Sequence, residues 1–123
     1  MQNPNVPKNV EMYSPVIIHI TGKDTESGDL FLDNNPAHAV RGNQVLWIND
    51  PNETGIDILS IERKPNSANV FDPIPSRIGS SPNWGGVIKI NLVTPDEETY
   101  NIHWRDLSTG QQYKYDPVIK VNN

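Results

Sequence analysis

Hydrophobic residues form short runs along the chain, and polar turn-forming residues separate one run from the next. In residues 87–93 every second side chain from Ile88 onward is apolar, and Lys89 and Asn91 lie between them. This two-residue period is that of a β-strand with one buried face. No stretch repeats apolar residues at the i, i+3, i+4 and i+7 spacing of an amphipathic helix. The pattern therefore predicts an all-β protein.

Turn signals separate about seven or eight predicted strands. These strands cover residues 12–21, 30–32, 37–40, 45–49, 56–62, 87–93, 99–104 and 113–121. The segment 63–86 holds four prolines and three glycines, so we expect a long connection with one short strand or turn near residues 70–72. Short strands at regular spacing predict a single-domain Greek-key β-sandwich.

The chain length of 123 residues suits one domain. We expect a flexible polar tail over residues 1–11 and one sandwich domain over residues 12–123. The first 15 residues contain no apolar segment typical of a signal peptide. We therefore expect a soluble protein, either cytoplasmic or extracytoplasmic after removal of a signal peptide.

Charge and composition exclude several function classes. The net charge is −5, from 10 basic and 15 acidic residues without a Lys/Arg cluster, which argues against a nucleic-acid partner. The chain has no cysteine, and this excludes disulfides, thiolate catalysis, zinc–thiolate sites and Cys-ligated copper. No apolar run is long enough to span a membrane.

Three stretches together resemble the cupredoxin family: residues 39–50, 84–104 and 118–121. The first is similar to a hairpin that leads into a V-x-W-x-N strand, the second to the penultimate strand pair, and the third to the final strand. The resemblance implies a two-sheet Greek-key scaffold. It does not imply copper, because this sequence departs from the family at the ligand positions: Asp57 lies in the region of a family His, and Trp104 lies about where the thiolate would be. A blue-copper site needs two imidazoles and a thiolate; we expect no cofactor.

Alternation divides the strand at 99–104 into two faces. Tyr100, Ile102 and Trp104 form the predicted core face, and His103 and Arg105 lie on the opposite face. The three histidines show no metal-ligand spacing, so we predict no metal site. An enzyme would instead need a site at the loop ends of the sandwich, with four weak candidates. These are Asp57, His103, Arg105 and Asp106.

The acidic residues 96–98 are predicted to form a solvated hairpin tip, although a carboxylate pair is also the machinery of glycoside hydrolysis. The aromatic residues suggest a binding surface. Trp84 lies in a predicted loop, where it either contacts a sugar or protein partner or covers one end of the core. The candidate partner-binding residues are Trp84, Phe71, Tyr113 and Tyr115.

These observations favour a non-enzymatic binding or interaction module on a copper-free sandwich. A protein, a second copy of the chain or a glycan is the expected class of partner. One alternative is an assembly subunit that uses residues 12–21 as an exposed edge strand for β-augmentation. The other alternative is a small enzyme with a site at the loop ends.

Overall fold

The structure is a computed structural model that describes residues 14–92 and 95–122. The predicted tail at 1–11 and the first two residues of the predicted strand 12–21 lie outside the described residues. Ten strands and one helical turn are present in the described part of the chain. They are β1 Val16–Lys23, β2 Leu30–Leu32, β3 Ala37–Ala39, β4 Gln44–Ile48, α1 Pro51–Thr54, β5 Ile56–Arg63, β6 Ser76–Arg77, β7 Trp84–Val87, β8 Asp96–Asp106, β9 Gln112–Tyr115 and β10 Val118–Val121.

The strands form two mixed five-stranded sheets, and the all-β prediction is confirmed. The first sheet has the order β2-β1-β4-β7-β6. The second has the order β3-β10-β8-β5, with β9 paired to β8 beside β10. We predicted one short strand or turn in the 63–86 connection, and this number of strands was too low. The strand β6 lies in this segment, and β7 begins in it and ends at Val87, so the strand predicted at 87–93 is wrong for the described residues after Val87. Prolines and glycines interrupt β6 and β7, which are too short to show alternation.

Apolar side chains from both sheets meet in one core. Trp47 of the first sheet and Tyr100 of the second lie at the centre, and both are almost completely buried. The indole Nε1 of Trp47 donates a hydrogen bond of 3.1 Å to the Tyr100 hydroxyl. The ring of Phe71 packs against Trp47, with the two centroids 5.8 Å apart. The contacts across the core show a sandwich of two packed layers.

The edge position predicted for residues 12–21 is wrong for the strand β1, which covers the described part of this segment. This strand pairs in parallel with β4 and antiparallel with β2, so it lies inside its sheet. On the β2 side, where β2 has ended, Asp33 bonds the backbone of His19 and the Asn34 amide donates to Ile17 O. The Val and Ile residues of this strand reflect burial between neighbours, which a sequence pattern does not distinguish from an apolar edge.

The longest strand, β8, corrects the predicted turn at residues 96–98. The strand already begins at Asp96, and residues 96–99 pair with β10. Glu98 therefore points into the protein on the same face as Tyr100, Ile102 and Trp104. The predicted core face of this strand is confirmed. It includes one further inward-facing residue at each end, Glu98 and Asp106.

The loop predicted at residues 49–55 contains the single helical turn α1. Asp50 caps its first turn, and Gly55 ends it in the left-handed conformation. Within residues 14–92 and 95–122, no helix is long and apolar enough to cross a membrane.

Candidate ligand-binding pocket

A pocket of about 250 Å³ opens between the free edge of β5 and the segment 69–75. Its walls are largely apolar, and its polar groups come from both sides of the opening. The lining residues are Ile61, Glu62, Arg63, Asn69, Phe71, Ile74, Pro75 and Glu98.

The pocket exists because the chain crosses from one sheet to the other at this point. After β5 the chain leaves the second sheet, and Phe71 forms a bridge with Ile88 beside the first. Backbone hydrogen bonds from Asp72 to Val87 O and from Lys89 to Val70 O fix this crossing segment. The pocket is thus the gap between the edge strand of the second sheet and the crossing segment.

Glu98 forms the buried polar end of the pocket, with only 2% of its surface exposed. The backbone N–H of Val70 donates a 3.1 Å hydrogen bond to its Oε1. Among the residues that the structure describes, this is the carboxyl's one hydrogen bond, so Oε2 has no protein donor there. Burial raises the pKa of Glu98 to about 7, although the Val70 bond and the charges of Arg63 and Lys89 act in the opposite direction.

Two carboxyls and one guanidinium are the charged groups of the pocket lining. Nη1 of Arg63 donates to the backbone oxygen of Ser67 at 2.7 Å, which anchors the guanidinium against its own loop. Glu62 is exposed at the rim, and its Oε2 lies 3.9 Å from the His103 Nε2. The lining is therefore net acidic when both carboxyls are ionised.

Asp106, at the other end of the same strand face, has a complete set of partners. Lys23 Nζ lies 2.6 Å from its Oδ1, and the hydroxyls of Ser108 and Thr109 each donate to Oδ2 at 3.0 Å. The Lys23 bond above all lowers the pKa of Asp106 to about 2, against the effect of burial. Asp106 was predicted at the start of a loop and as a weak catalytic candidate. It is the last residue of β8, and its bonds secure the turn that follows.

The four aromatic candidates occupy different places. Phe71 lines the pocket and is buried at its inner side. Trp84 was predicted in a loop, but it lies in β7 with 9% of its surface exposed and the Arg77 guanidinium 5.4 Å above its ring. The flanking Gly85 and Gly86 suggested a loop, yet they serve in the strand, where Gly86 lets Phe71 approach closely.

The two tyrosines of β9 are half-buried and pack against the core. Tyr113 stacks on Trp104 with centroids 4.6 Å apart, and its hydroxyl donates to Thr25 O. The Tyr115 hydroxyl accepts a hydrogen bond from the Asn35 amide. Both side chains thus contact the loops that precede and follow β2 and lie away from the pocket.

The remaining polar candidates do not converge on one site. Asp57 and Arg105 pair across β5 and β8 at 2.8 Å, and Arg77 lies 4.0 Å from the same carboxylate. His103 faces Glu62 instead, and Asp106 faces Lys23 inside the protein. The four residues are thus divided among three separate contacts, of which the Asp106–Lys23 pair is buried.

The other two histidines are also separate. His19 Nδ1 lies 2.8 Å from Asp33 Oδ2, and this contact together with the His19 backbone bond outweighs burial and lowers the pKa of Asp33. His38 lies near the Asn122 amide on the second sheet. In residues 14–92 and 95–122, no three His, Asp or Glu side chains are grouped so as to hold a metal ion.

Sequence reasoning missed Glu98 as a site residue. The available signal was alternation: extending the core face of Tyr100 and Ile102 two positions toward the N-terminus reaches Glu98. The preceding proline and acidic run outweighed this signal, because such a composition is typical of turns. The pocket's other walls come from residues 61–63 and 69–75, which only the tertiary crossing brings together.

No protein-family model matches the chain, and no curated protein sequence matches it.

Proposed function

We propose that the chain is a non-enzymatic binding module, and that its ligand occupies the pocket between β5 and the segment 69–75. The observation that carries this proposal is the position of the Glu98 carboxyl in the pocket. This is a buried carboxyl with one protein hydrogen bond at the inner end of an apolar-walled opening. An ionised carboxylate can accept about four hydrogen bonds, so a buried carboxyl with one protein donor that lines a pocket has acceptor capacity left for a ligand.

The pocket volume limits the ligand to a small molecule or to one side chain of a larger partner. Pockets for drug-sized molecules measure about 300–1,000 Å³, and this pocket is smaller. The exposed Ile74, with 65% of its surface accessible, adds an apolar rim for the part of the ligand that remains outside.

The proposal is tested by NMR titration of the ¹⁵N-labelled protein with a library of small polar molecules and short peptides. We expect amide shifts that cluster on residues 61–63 and 69–75. Ile74→Arg should abolish these shifts by placing a charged side chain at the rim. Ile90→Arg is the matched control, since Ile90 is also an exposed isoleucine but does not line the pocket. Shifts that spread elsewhere, or that persist in Ile74→Arg, would contradict the proposed site.

The scaffold that we propose is cupredoxin-like and copper-free, and its Greek-key connectivity stays a prediction. The absence of copper is supported by the surroundings of Trp104 and Asp57, the two residues that lie where the family has copper ligands. Trp104 is fully buried and donates to Gly28 O, and Asp57 is engaged by Arg105. We expect less than stoichiometric copper by elemental analysis of purified protein after copper loading and dialysis. One equivalent of tightly bound copper with a visible charge-transfer band would refute this part.

A further inference from the structure

We propose that the pocket's ligand is a primary ammonium group on an unbranched apolar stem, with the Glu98 carboxylate as its counter-ion. This inference rests on the proposed function and adds the chemical class of the ligand. The stem would lie between Ile61, Phe71 and Ile74, and the ammonium would reach the inner carboxyl.

The hydrogen-bonding chemistry favours a donor ligand. An ionised carboxylate only accepts hydrogen bonds, and one bond from Val70 occupies only part of its acceptor capacity. An ammonium group offers three donors and no acceptor, which complements this free capacity. A ligand carboxylate or carbonyl would instead bring a second acceptor against an ionised Glu98.

The charges of the lining favour a cation over an anion. Glu62 and Glu98 are the two carboxyls, and Arg63 is held by the Ser67 carbonyl. An anionic ligand would meet both carboxyls. A cation would neutralise the buried carboxyl and lie within reach of the rim carboxyl, and charge–charge attraction strengthens as water is excluded.

Several groups set the electrostatic state of Glu98. Arg63 from β5 and Lys89 from the segment after β7 carry the nearby positive charges, and Tyr100 is a titratable group on the same face of β8 that interacts electrostatically with Glu98. Burial outweighs these cations and holds the pKa of Glu98 at about 7. Below this pH the proton must leave when an ammonium binds, so binding and proton release are coupled.

Because of this coupling, the binding affinity should depend on pH in a distinctive way. The affinity for a primary ammonium should rise as the pH increases through about 7 and then level off. Well below this value, each pH unit should weaken binding about tenfold, because Glu98 must first release its proton. A neutral ligand that bonds to the protonated carboxyl would show the opposite trend.

The test compares n-pentylamine with its neutral counterpart n-pentanol and with hexanoate, by calorimetry and NMR at pH 6, 7 and 8. We expect pentylamine to bind in the pocket at least tenfold more tightly than the other two, with proton release at pH 6. Glu98→Gln should weaken pentylamine binding at least tenfold. Glu97→Gln is the control, since Glu97 is the exposed neighbour on β8 and should leave binding unchanged. Dispersed NMR spectra of both variants would show that they are folded.

The source of the ammonium is distinguished by a second set of probes. A tripeptide with a central lysine is compared with pentylamine and with the same tripeptide acetylated on Nζ. Tighter binding of the lysine peptide would assign the pocket to a protein partner, and tighter binding of pentylamine would assign it to a free amine. Equal binding of the acetylated peptide would overturn the inference.

Different experimental results would refute the ammonium ligand alone or the ligand site as a whole. Pentanol or hexanoate that binds in the pocket as tightly as pentylamine, or binding that survives Glu98→Gln, refutes the ammonium ligand and leaves a ligand site in place. If amines, neutral molecules and anions alike fail to shift the amides of residues 61–63 and 69–75, both the inference and the proposed function are refuted.

Discussion

Two carboxyls at the ends of one strand face differ in charge state because their neighbours differ. Asp106 has an ammonium and two hydroxyls as partners, and these hold its pKa at about 2. Glu98 has one backbone N–H and two more distant cations, and burial raises its pKa to about 7. At neutral pH, Asp106 is therefore fully ionised and Glu98 is near its titration midpoint. Burial stabilises a charge only when nearby groups replace the lost water.

Glu98 should make the protein less stable as the pH rises from about 4.5 to about 7. Its pKa is higher in the folded state, so the folded protein holds the proton more tightly in this interval. We expect a loss of free energy of unfolding on the order of 3 kcal/mol, complete above pH 7. Urea unfolding at pH 5 and pH 8 measures it. Glu98→Gln should remove this difference and Glu97→Gln should keep it. Equal pH dependence in all three proteins would contradict the assignment.

Asp106 should contribute in the opposite sense. Its folded-state pKa is lowered from 3.8, so its stabilisation is present at neutral pH and is lost as the pH falls through about 4 to about 2. Lys23→Met removes the main cause of the lowered pKa and leaves a buried carboxylate without its cation. We expect acid unfolding of this variant at a higher pH, followed by circular dichroism.

Lys64→Met is the comparison for this prediction. The Lys64–Asp116 pair has a similar distance of 2.9 Å, but both side chains are exposed. Surface pairs contribute about 0–1 kcal/mol, so this variant should unfold at nearly the wild-type pH. Identical shifts in the two lysine variants would show that burial does not distinguish the pairs.

At the scale of elements, the approach of β7 to the crossing segment depends on one glycine. A Cβ at position 86 would lie 2.9 Å from the Phe71 ring and 3.1 Å from the backbone N of Pro75. Gly86→Ala should therefore displace the pocket wall and cost about 1–3 kcal/mol in the free energy of unfolding. It should also weaken ligand binding. Chemical denaturation and the binding titration described above measure the two effects.

Gly85→Ala is the neighbouring control. The atoms nearest to a Cβ at position 85 would be side-chain atoms of Leu46 and Ile78, which can move. We expect a smaller loss of stability and an unchanged pocket. A larger effect at position 85 than at position 86 would contradict the role given to the close approach.

The local sequence pattern predicted which segments form strands better than it predicted which strands pair with each other. Alternation correctly predicted the core face of β8, because burial on one side of a strand leaves a two-residue period. It did not predict that β1 lies inside its sheet, since pairing partners are set by the whole topology. It also missed Trp84 as a strand residue, because β7 is only four residues long and half of them are glycine. The pocket could not be predicted, as its walls come from separate segments.

At the scale of the whole molecule, one hydrogen bond joins the two sheets at their centre. Tyr100→Phe would leave the buried Trp47 N–H without its partner, at a cost of about 1–3 kcal/mol. Tyr115→Phe removes the exposed bond with Asn35 and should cost much less. Urea unfolding followed by tryptophan fluorescence compares the two. A loss at Tyr115 that equals the loss at Tyr100 would argue against a special role of the bond between the sheets.

The position of β10 has a consequence for how the protein folds during synthesis. This strand lies between β3 and β8, although it follows both in the chain. Until residues 118–121 have left the ribosome, β3 has no neighbour in its sheet, and the side of β8 opposite β5 lacks part of its pairing. The emerging chain therefore carries exposed strand edges through most of its translation, and a chain cut before residue 118 should aggregate where the longer one remains folded.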